Sequence, residues 1–359
     1  MFESTIVTSL IGFFVILTPL IFIHELGHYF AAVNSGVKVE AFSIGFGPEL
    51  IGFNDKRNTR WKFSLIPLGG YVKMKGELIK SSEDEDEDDL IISVKDTFLK
   101  AKLISRILIV LSGPLANLVL GMILITSIYV FNGRYVSPPI VNSVIKNQPA
   151  MLAGLKSGDT IIKINKKTIN DFSDIKNIVE RNPAKELTMD VLRDDNIISL
   201  NIIPDIFLDQ RSKINVGRIG ITAAPMELKK LSVMDSIYLG LYDSMKMTLE
   251  WFKGLKSLIL LKVNKEDIVG PIGIAKISGS VLDKGFFSII FLMAVLSINL
   301  GLINLLPIPA LDGGYLVLFI YEGIFKKPVS SKIQLILLKF GFIFLLSLML
   351  LVTAFDLGL

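Results

Sequence analysis

Four stretches of the chain run almost without charge for long enough to cross a bilayer: residues 6–30, 107–130, 286–306 and 333–355. Each exceeds the roughly 18 apolar residues that mark a membrane-span candidate. Between the first two spans the pattern changes. Residues 37–74 mix strand formers with glycines (AFSIGFGPELIGF, then WKFSLIPLGGYVKM) and predict twisted hairpins. Residues 83–89 are acidic seven times in succession and read as a solvated linker.

After the second span, residues 138–204 predict a compact β-rich module. Ile161, Ile162 and Ile164 mark a strand behind the Gly158-Asp159 turn, residues 172–179 a short helix, and residues 189–192 and 197–203 two further strands. Residues 233–261 then carry a helical repeat with Ile237, Leu241, Met245, Leu249 and Phe252 on one face. Asp243, Lys246, Glu250 and Lys253 keep that helix from spanning, so an amphipathic helix on the membrane surface is expected, with packing against the β-rich module as the competing reading. The expected plan is a first span over 1–30, a hairpin region and acidic linker over 31–102, and a second span over 103–131. The β-rich module follows over 132–205, a connector over 206–285, a third span with its tail over 286–325, and a loop with the fourth span over 326–359.

Composition agrees with membrane residence. Apolar residues make up 51% and charged residues 20% of the chain, and the mean hydropathy is +0.57, which excludes a purely soluble globular protein. The first span lacks a basic leader and a small-residue cleavage site, so it is expected to be retained rather than removed as a signal peptide. Basic residues near span ends set orientation. Lys56, Arg57, Arg60 and Lys62 lie in the hairpin region, and Lys326, Lys327 and Lys332 lie between the last two spans. These two loops are therefore expected inside, with both termini and residues 131–285 outside.

There is no cysteine, which excludes thiol nucleophiles, disulfides and thiolate metal sites. A net charge of +4 gives no nucleic-acid footprint. Only two histidines exist in the chain, and they stand four apart with a glutamate between, in His24-Glu25-Leu26-Gly27-His28 at the end of the first span. On a helix both imidazoles project from one face, the spacing two zinc ligands need, with Glu25 free to act on water. A catalytic zinc takes three protein ligands and keeps one open position. With no third histidine and no cysteine, the third ligand has to be a carboxylate. Asp312 is the candidate, as the lone charge from Phe286 to Tyr321, beside helix breakers Pro307, Pro309, Gly313 and Gly314. Broken backbone at membrane depth is tolerated only when buried in protein or lining a polar cavity. Depth agrees too. His24 lies about 27 Å along the helix from Ile6 at ~1.5 Å per residue, near the inner end of an inward-running span, and the break before Asp312 falls at a similar level.

The HELGH sequence in the first span and Leu311-Asp312-Gly313-Gly314 after the third resemble the site-2 protease family of intramembrane zinc metalloproteases. Gly45-Phe46-Gly47-Pro48, Pro67-Leu68-Gly69-Gly70-Tyr71-Val72-Lys73-Met74, Ser112-Gly113-Pro114-Leu115-Ala116-Asn117 and Gly270-Pro271-Ile272-Gly273-Ile274 extend the resemblance over nearly the whole chain. The subgroup it is similar to is that of the bacterial regulators of sigma-E proteases. The β-rich module resembles a PDZ domain, a fold that binds peptide ends by strand addition; a spacer or steric cap is the reading that stands beside it.

The resemblance implies a fold, a site and a setting. The fold is a multi-pass α-helical membrane protein of four spans, with a β-hairpin region associated with the membrane on the cytoplasmic side and one extracytoplasmic PDZ-like domain. One catalytic zinc ion is implied on His24, His28 and Asp312, with Glu25 as general base, Asn304 helping to hold the substrate backbone, and hairpins around Gly45, Phe46, Gly47 and Pro48 and around Pro67 to Met74 reaching into the membrane from inside. Implied partners are single-span membrane protein substrates, such as anti-sigma factors or remnant signal peptides, and the lipid bilayer of the bacterial cytoplasmic membrane. An unwound substrate segment is expected to pair with a strand edge offered around residues 45–48. The chain departs from the best-known member in having room for one PDZ domain rather than two, and Tyr315 follows the L-D-G-G sequence where many relatives have histidine. Two rival readings stay open: a membrane-anchored zinc protease cutting exposed loops, and a zinc-binding scaffold or transporter that needs neither Glu25 nor an open coordination position.

Overall fold

The computed structural model of the chain describes residues 2–76, 96–209, 214–260 and 268–358. The acidic run at 83–89 lies outside the described residues. Among the described residues, four helices are long and apolar enough to cross a membrane: α1 (Phe2–Asn34), α2 (Leu103–Phe131), and the helices numbered below as α7 and α9. Their burial pattern is inverted relative to a soluble bundle. Large apolar side chains face outward, Phe342 at 64% and Leu350 at 61% exposure among them, while Ser9, His24, Glu25, His28, Asn117 and Ser297 are buried. Polar groups inside and apolar groups outside suit a lipid surround, where an unpaired polar group facing the acyl chains is costly.

Helix α1 continues four residues past the expected boundary at Phe30 and ends at Asn34, where Gly36 takes a left-handed turn (φ +76°) into the hairpin region. That region is one long hairpin, not several: β1 (Val39–Asn54) and β2 (Arg60–Met74). Its register shifts repeatedly, so residues 39–44 pair with 70–74 (Val39↔Met74, Ile44↔Gly70) and also with 60–63 (Phe42↔Trp61), while residues 49–54 pair with 60–64. The two strands thus fold into a compact sheet of four segments, with 70–74 paired on one side only. Phe42 and Trp61 stack at its base with Tyr29 edge-on to both, and Asp55 accepts from Tyr29 Oη (2.9 Å) and Trp61 Nε1 (3.0 Å), fastening the turn to the end of α1.

The described residues divide into two compact units, one from 1–128, 237–256 and 265–359, the other from 129–236 and 257–264. The second unit is the β-rich module. Its central sheet runs β6 (Lys167–Thr168), β5 (Thr160–Ile164), β7 (Leu187–Arg193), β8 (Asn196–Ile202), with helix α4 (Phe172–Glu180) after β6; β3 (Arg134–Val136), β4 (Val141–Val144) and the one-turn α3 (Pro149–Leu152) precede it. Ile161, Ile164, Ile175, Leu187, Met189 and Val191 fill its core.

The module runs further than the sequence plan placed it. Past residue 205, β9 (Asp205–Leu208) pairs with β10 (Asn215–Arg218), β11 (Ile221–Ala223) with β4, and β12 (Glu227–Lys229) with β3. Ile219 belongs to the same core. Strands of three or four residues are too short for an alternating pattern to announce them.

Helix α5 (Val233–Ile259) covers the expected amphipathic segment, and Ile237, Leu241, Met245, Leu249 and Phe252 are all exposed. The stretch read as a plain connector holds a further apolar helix, α6 (Pro271–Leu282). Helix α6 packs on α1 through small residues: a Cβ on Gly12 would meet the Ser278 carbonyl carbon at 2.7 Å, and one on Gly279 the Ser9 Cα at 2.8 Å. Small residues let helix backbones approach closely in a membrane. Asp356, in the last turn of the fourth apolar helix, closes the start of α6 by accepting from the backbone N–H groups of Gly270 (3.0 Å) and Gly273 (2.9 Å). Next come α7 (Phe286–Asn304), a break, α8 (Asp312–Phe325) and α9 (Ser331–Asp356).

Candidate metal centre

Each chemical group of the HELGH turn is placed by a close backbone. Gly27 brings α1 against α2, since a Cβ there would overlap the Ser112 carbonyl oxygen. Gly113 of α2 leaves room for the His28 ring, whose Nε2 occupies the space a Cβ would take. Gly70 of β2 does the same for Glu25, whose Cγ would lie 2.9 Å from an added Cβ.

Asp312 arrives from another direction. The chain leaves α7 at Asn304, turns through Pro307 and Pro309, and re-enters a helix at Asp312, in the first turn of α8. Ala310 sits at φ +78°, a strained conformation for a residue with a Cβ. The two glycines after Asp312 make the fold-back feasible: a Cβ on Gly313 would collide with the Leu305 and Leu306 carbonyls, and one on Gly314 would meet Ile308 O at 2.5 Å. Gly341 of α9 accepts the Pro309 carbonyl against its backbone in the same way.

The outcome is a convergence of three side-chain atoms. His24 Nε2 and His28 Nε2 are 3.3 Å apart, and Asp312 Oδ2 is 3.2 Å from the first and 3.5 Å from the second. Tetrahedral zinc with bonds near 2.0–2.1 Å separates its donors by about 3.3 Å, so the three atoms already stand at the edges of such a tetrahedron. Asp312 Oδ2 is buried and makes no hydrogen bond, although both imidazoles lie close: the three atoms point at a common centre, not at one another. The donor set, two imidazoles and a carboxylate, is that of hydrolytic zinc sites. The residues fit the metal that the sequence implies.

The ring nitrogens facing away from this centre are held as well. His28 Nδ1 lies 2.8 Å from the Ile109 carbonyl oxygen, so Nδ1 carries the proton and Nε2 keeps its lone pair for the centre. The same carbonyl oxygen also accepts from Ser112 Oγ (2.5 Å), as its two lone pairs allow. His24 Nδ1 lies 3.2 Å from the Asn117 side-chain amide. Asn304 Nδ2 lies 3.4 Å from His24 Nε2.

A cavity of about 590 Å³ opens onto the centre and is lined by His24, Glu25, His28, Asn304 and Asp312. Of the four hairpin residues singled out from the sequence, Phe46 lines it; Gly45, Gly47 and Pro48 do not, and the hairpin's lining comes instead from residues 69–72 and Met74. Gly47 and Pro48 are exposed, while Gly45, at φ +89°, is buried with Ile66 O at 2.8 Å from where a Cβ would stand. In the register, residues 45–48 link segment 39–44, which is paired on both sides, to 49–54, whereas 70–74 are paired on one side only. Tyr315 also lines the cavity.

Comparison with known proteins decides the family. The profile of Peptidase family M50 matches residues 12–348. The chain belongs to this family. It is therefore a zinc metalloprotease of the site-2 type, and the match reaches from α1 into α9. Among relatives, a protein of Rickettsia conorii named as a zinc metalloprotease is 37% identical, covering 97% of this chain and 98% of its own length. One of Agrobacterium fabrum with a similar name is 34% identical, covering 97% and 95%. A protease named eep, from Enterococcus faecalis, is 32% identical and covers 97% and 98%. Among solved structures, the PDZ domain of an SdrC-like protein from Listeria monocytogenes matches 24% of this chain and 85% of its own, at 21% identity and a TM-score of 0.21.

Proposed function

We propose that this member of Peptidase family M50 hydrolyses peptide bonds inside transmembrane segments, using one zinc ion held by His24, His28 and Asp312, with Glu25 as the general base. The observation that carries the reading is the placement of the centre. The two histidines and Glu25 are buried on an apolar span, and the cavity beside them is lined by α1, α7, the break before Asp312 and a strand edge of the hairpin.

Bound there, zinc supplies a Lewis acid that polarises a carbonyl and brings the pKa of an attacking water toward 7. The chain does the rest. Glu25 takes the proton of that water on its carboxylate and returns it to the leaving amine nitrogen. Asn304 offers amide donors beside His24 Nε2, where they can hold the substrate's backbone oxygen. The unpaired side of residues 70–74 accepts the unwound substrate as an added strand, which pairs backbone groups that would otherwise be unsatisfied in lipid. This edge replaces residues 45–48 as the pairing surface.

The implied setting is the cytoplasmic membrane of a bacterium, with the hairpin and residues 326–332 inside and the PDZ-like module outside. The order of basic residues supports that orientation, and the module's own core and four-stranded sheet support an independently folded substrate-screening or peptide-binding domain.

The test is a single-span substrate in detergent or liposomes, with bound zinc measured in parallel. Glu25→Gln should abolish cleavage and keep zinc, whereas Asp312→Asn should lose both. Zinc binding with cleavage indifferent to Glu25→Gln would move the assignment to a scaffold or transporter.

A further inference from the structure

One face of α2 presents three features to the metal centre at four-residue intervals: the Ile109 carbonyl to His28, Gly113 under the His28 ring, and the Asn117 amide to His24. Asn117 is fully buried in an apolar span, an expensive place for a carboxamide without a task. Its backbone is fixed as well, since Ser297 Oγ of α7 donates to Asn117 O at 2.7 Å.

The amide can be turned two ways about its terminal bond. With Nδ2 toward His24 Nδ1, the ring accepts a hydrogen bond at Nδ1, its own hydrogen must sit on Nε2, and Asn117 Oδ1 is left buried without a partner. A hydrogen on Nε2 would occupy the lone pair that faces His28 and Asp312. Turned by 180°, Oδ1 stands about 3.2 Å from Nδ1 and accepts its N–H. His24 then carries the same tautomer that Ile109 imposes on His28, and both Nε2 lone pairs face the centre.

We infer that Asn117 is a positioning residue for the metal site: its side-chain oxygen accepts the Nδ1–H of His24 and thereby holds that ring in the tautomer and orientation that binds zinc. The inference rests on the assignment of His24 as a ligand. Outer partners of metal-bound histidines typically change metal affinity about 10–100-fold when removed. Asn117 therefore belongs to the site although it touches neither metal nor substrate.

The experiment measures zinc retention by the full-length protein in detergent against a competing chelator, with thermal unfolding recorded for each variant. Asn117→Leu and Asn117→Ala lack an acceptor and should weaken zinc about 10–100-fold. Asn117→Asp and Asn117→Ser keep an oxygen acceptor and should bind zinc more tightly than the leucine and alanine variants at comparable unfolding temperature. Retention within threefold of wild type in the alanine variant overturns the inference, as does equal loss in the acceptor and non-acceptor variants. Alanine keeps the measurement readable if leucine or aspartate misfolds. His24→Ala serves as the control: if it retains zinc, the ligand assignment has failed, and the Asn117 inference falls with it for that separate reason.

Discussion

His28 donates from Nδ1 to the carbonyl oxygen of Ile109 at 2.8 Å, across 81 residues of sequence, and this one bond decides which nitrogen of the ring faces Asp312. A helix carbonyl is normally consumed by the residue four positions on. The Ile109 oxygen keeps a second lone pair for His28, and Gly113 clears the ring's path, so this turn of α2 forms a socket for the His28 ring.

Filling the socket is the first prediction. Gly113→Ala puts a methyl where His28 Nε2 now lies. Alanine is the better helix former by about 1 kcal/mol, so secondary structure should be kept. Zinc content should fall at least about tenfold, measured by elemental analysis of the purified protein. Wild-type zinc content with the helix intact would show that the ring has more room than the packing implies.

Gly70→Ala should act on Glu25 instead. The added Cβ would meet Glu25 Cγ at 2.9 Å and Ser43 O at 2.8 Å, so the carboxylate or the strand must shift. General bases contribute about 10²–10⁴-fold, and a displaced one should lower kcat by roughly tenfold or more while zinc stays bound. The split between turnover and zinc content distinguishes this variant from Gly113→Ala.

Arg106 of α2 and Glu322 of α8 form a bidentate pair (3.0 and 2.5 Å) with the guanidinium over the Phe319 ring at 5.1 Å. The pair joins the helix that positions the histidines to the helix that begins with Asp312. Glu322→Ala strands a cation whose side chain is only 10% exposed, and should destabilise by about 3–5 kcal/mol in denaturant titrations. The double variant Arg106→Met, Glu322→Leu should recover most of that loss. An unchanged midpoint for Glu322→Ala would show that the pair is screened.

In the β-rich module, burial pushes the Asp159 carboxyl upward, but the Arg193 fork (2.7 Å to each oxygen) and the Lys156 N–H (2.8 Å) outweigh it and hold it below the usual carboxylate range. A depressed pKa stabilises the folded state above the unfolded value of about 3.9, and that contribution is lost as pH falls through the folded value. Below about pH 4, acid unfolding should therefore be steeper in wild type than in Asp159→Asn. Parallel acid profiles would mean that the pair has no differential titration.

How much of this was legible in the chain depends on range. His24, Glu25 and His28 could be read because their geometry is local: one helix turn in a protein with two histidines. Asp312 could be read because a lone carboxylate amid apolar residues and helix breakers has few other uses. Asn117 and the Ile109 carbonyl could not, since neither their distance in sequence nor their residue type marks a partner across the bundle. The hairpin was legible as strand but not as register, and register decides that Phe46 alone of residues 45–48 lines the cavity while residues 69–72 supply most of the hairpin's share. Helix α6 was hidden for the opposite reason: the glycines and serines that pack it on α1 are what make its sequence look like a connector.

The most direct test of the central claim is the position of the cut. A reconstituted single-span substrate should be incubated with wild type and with Glu25→Gln, and the products mapped by mass spectrometry beside a soluble peptide lacking any apolar segment. Proteolysis within bilayer depth predicts Glu25-dependent ends inside the apolar segment and no cleavage of the soluble peptide. Cuts confined to exposed flanks, or equal cleavage of the soluble peptide, would contradict it.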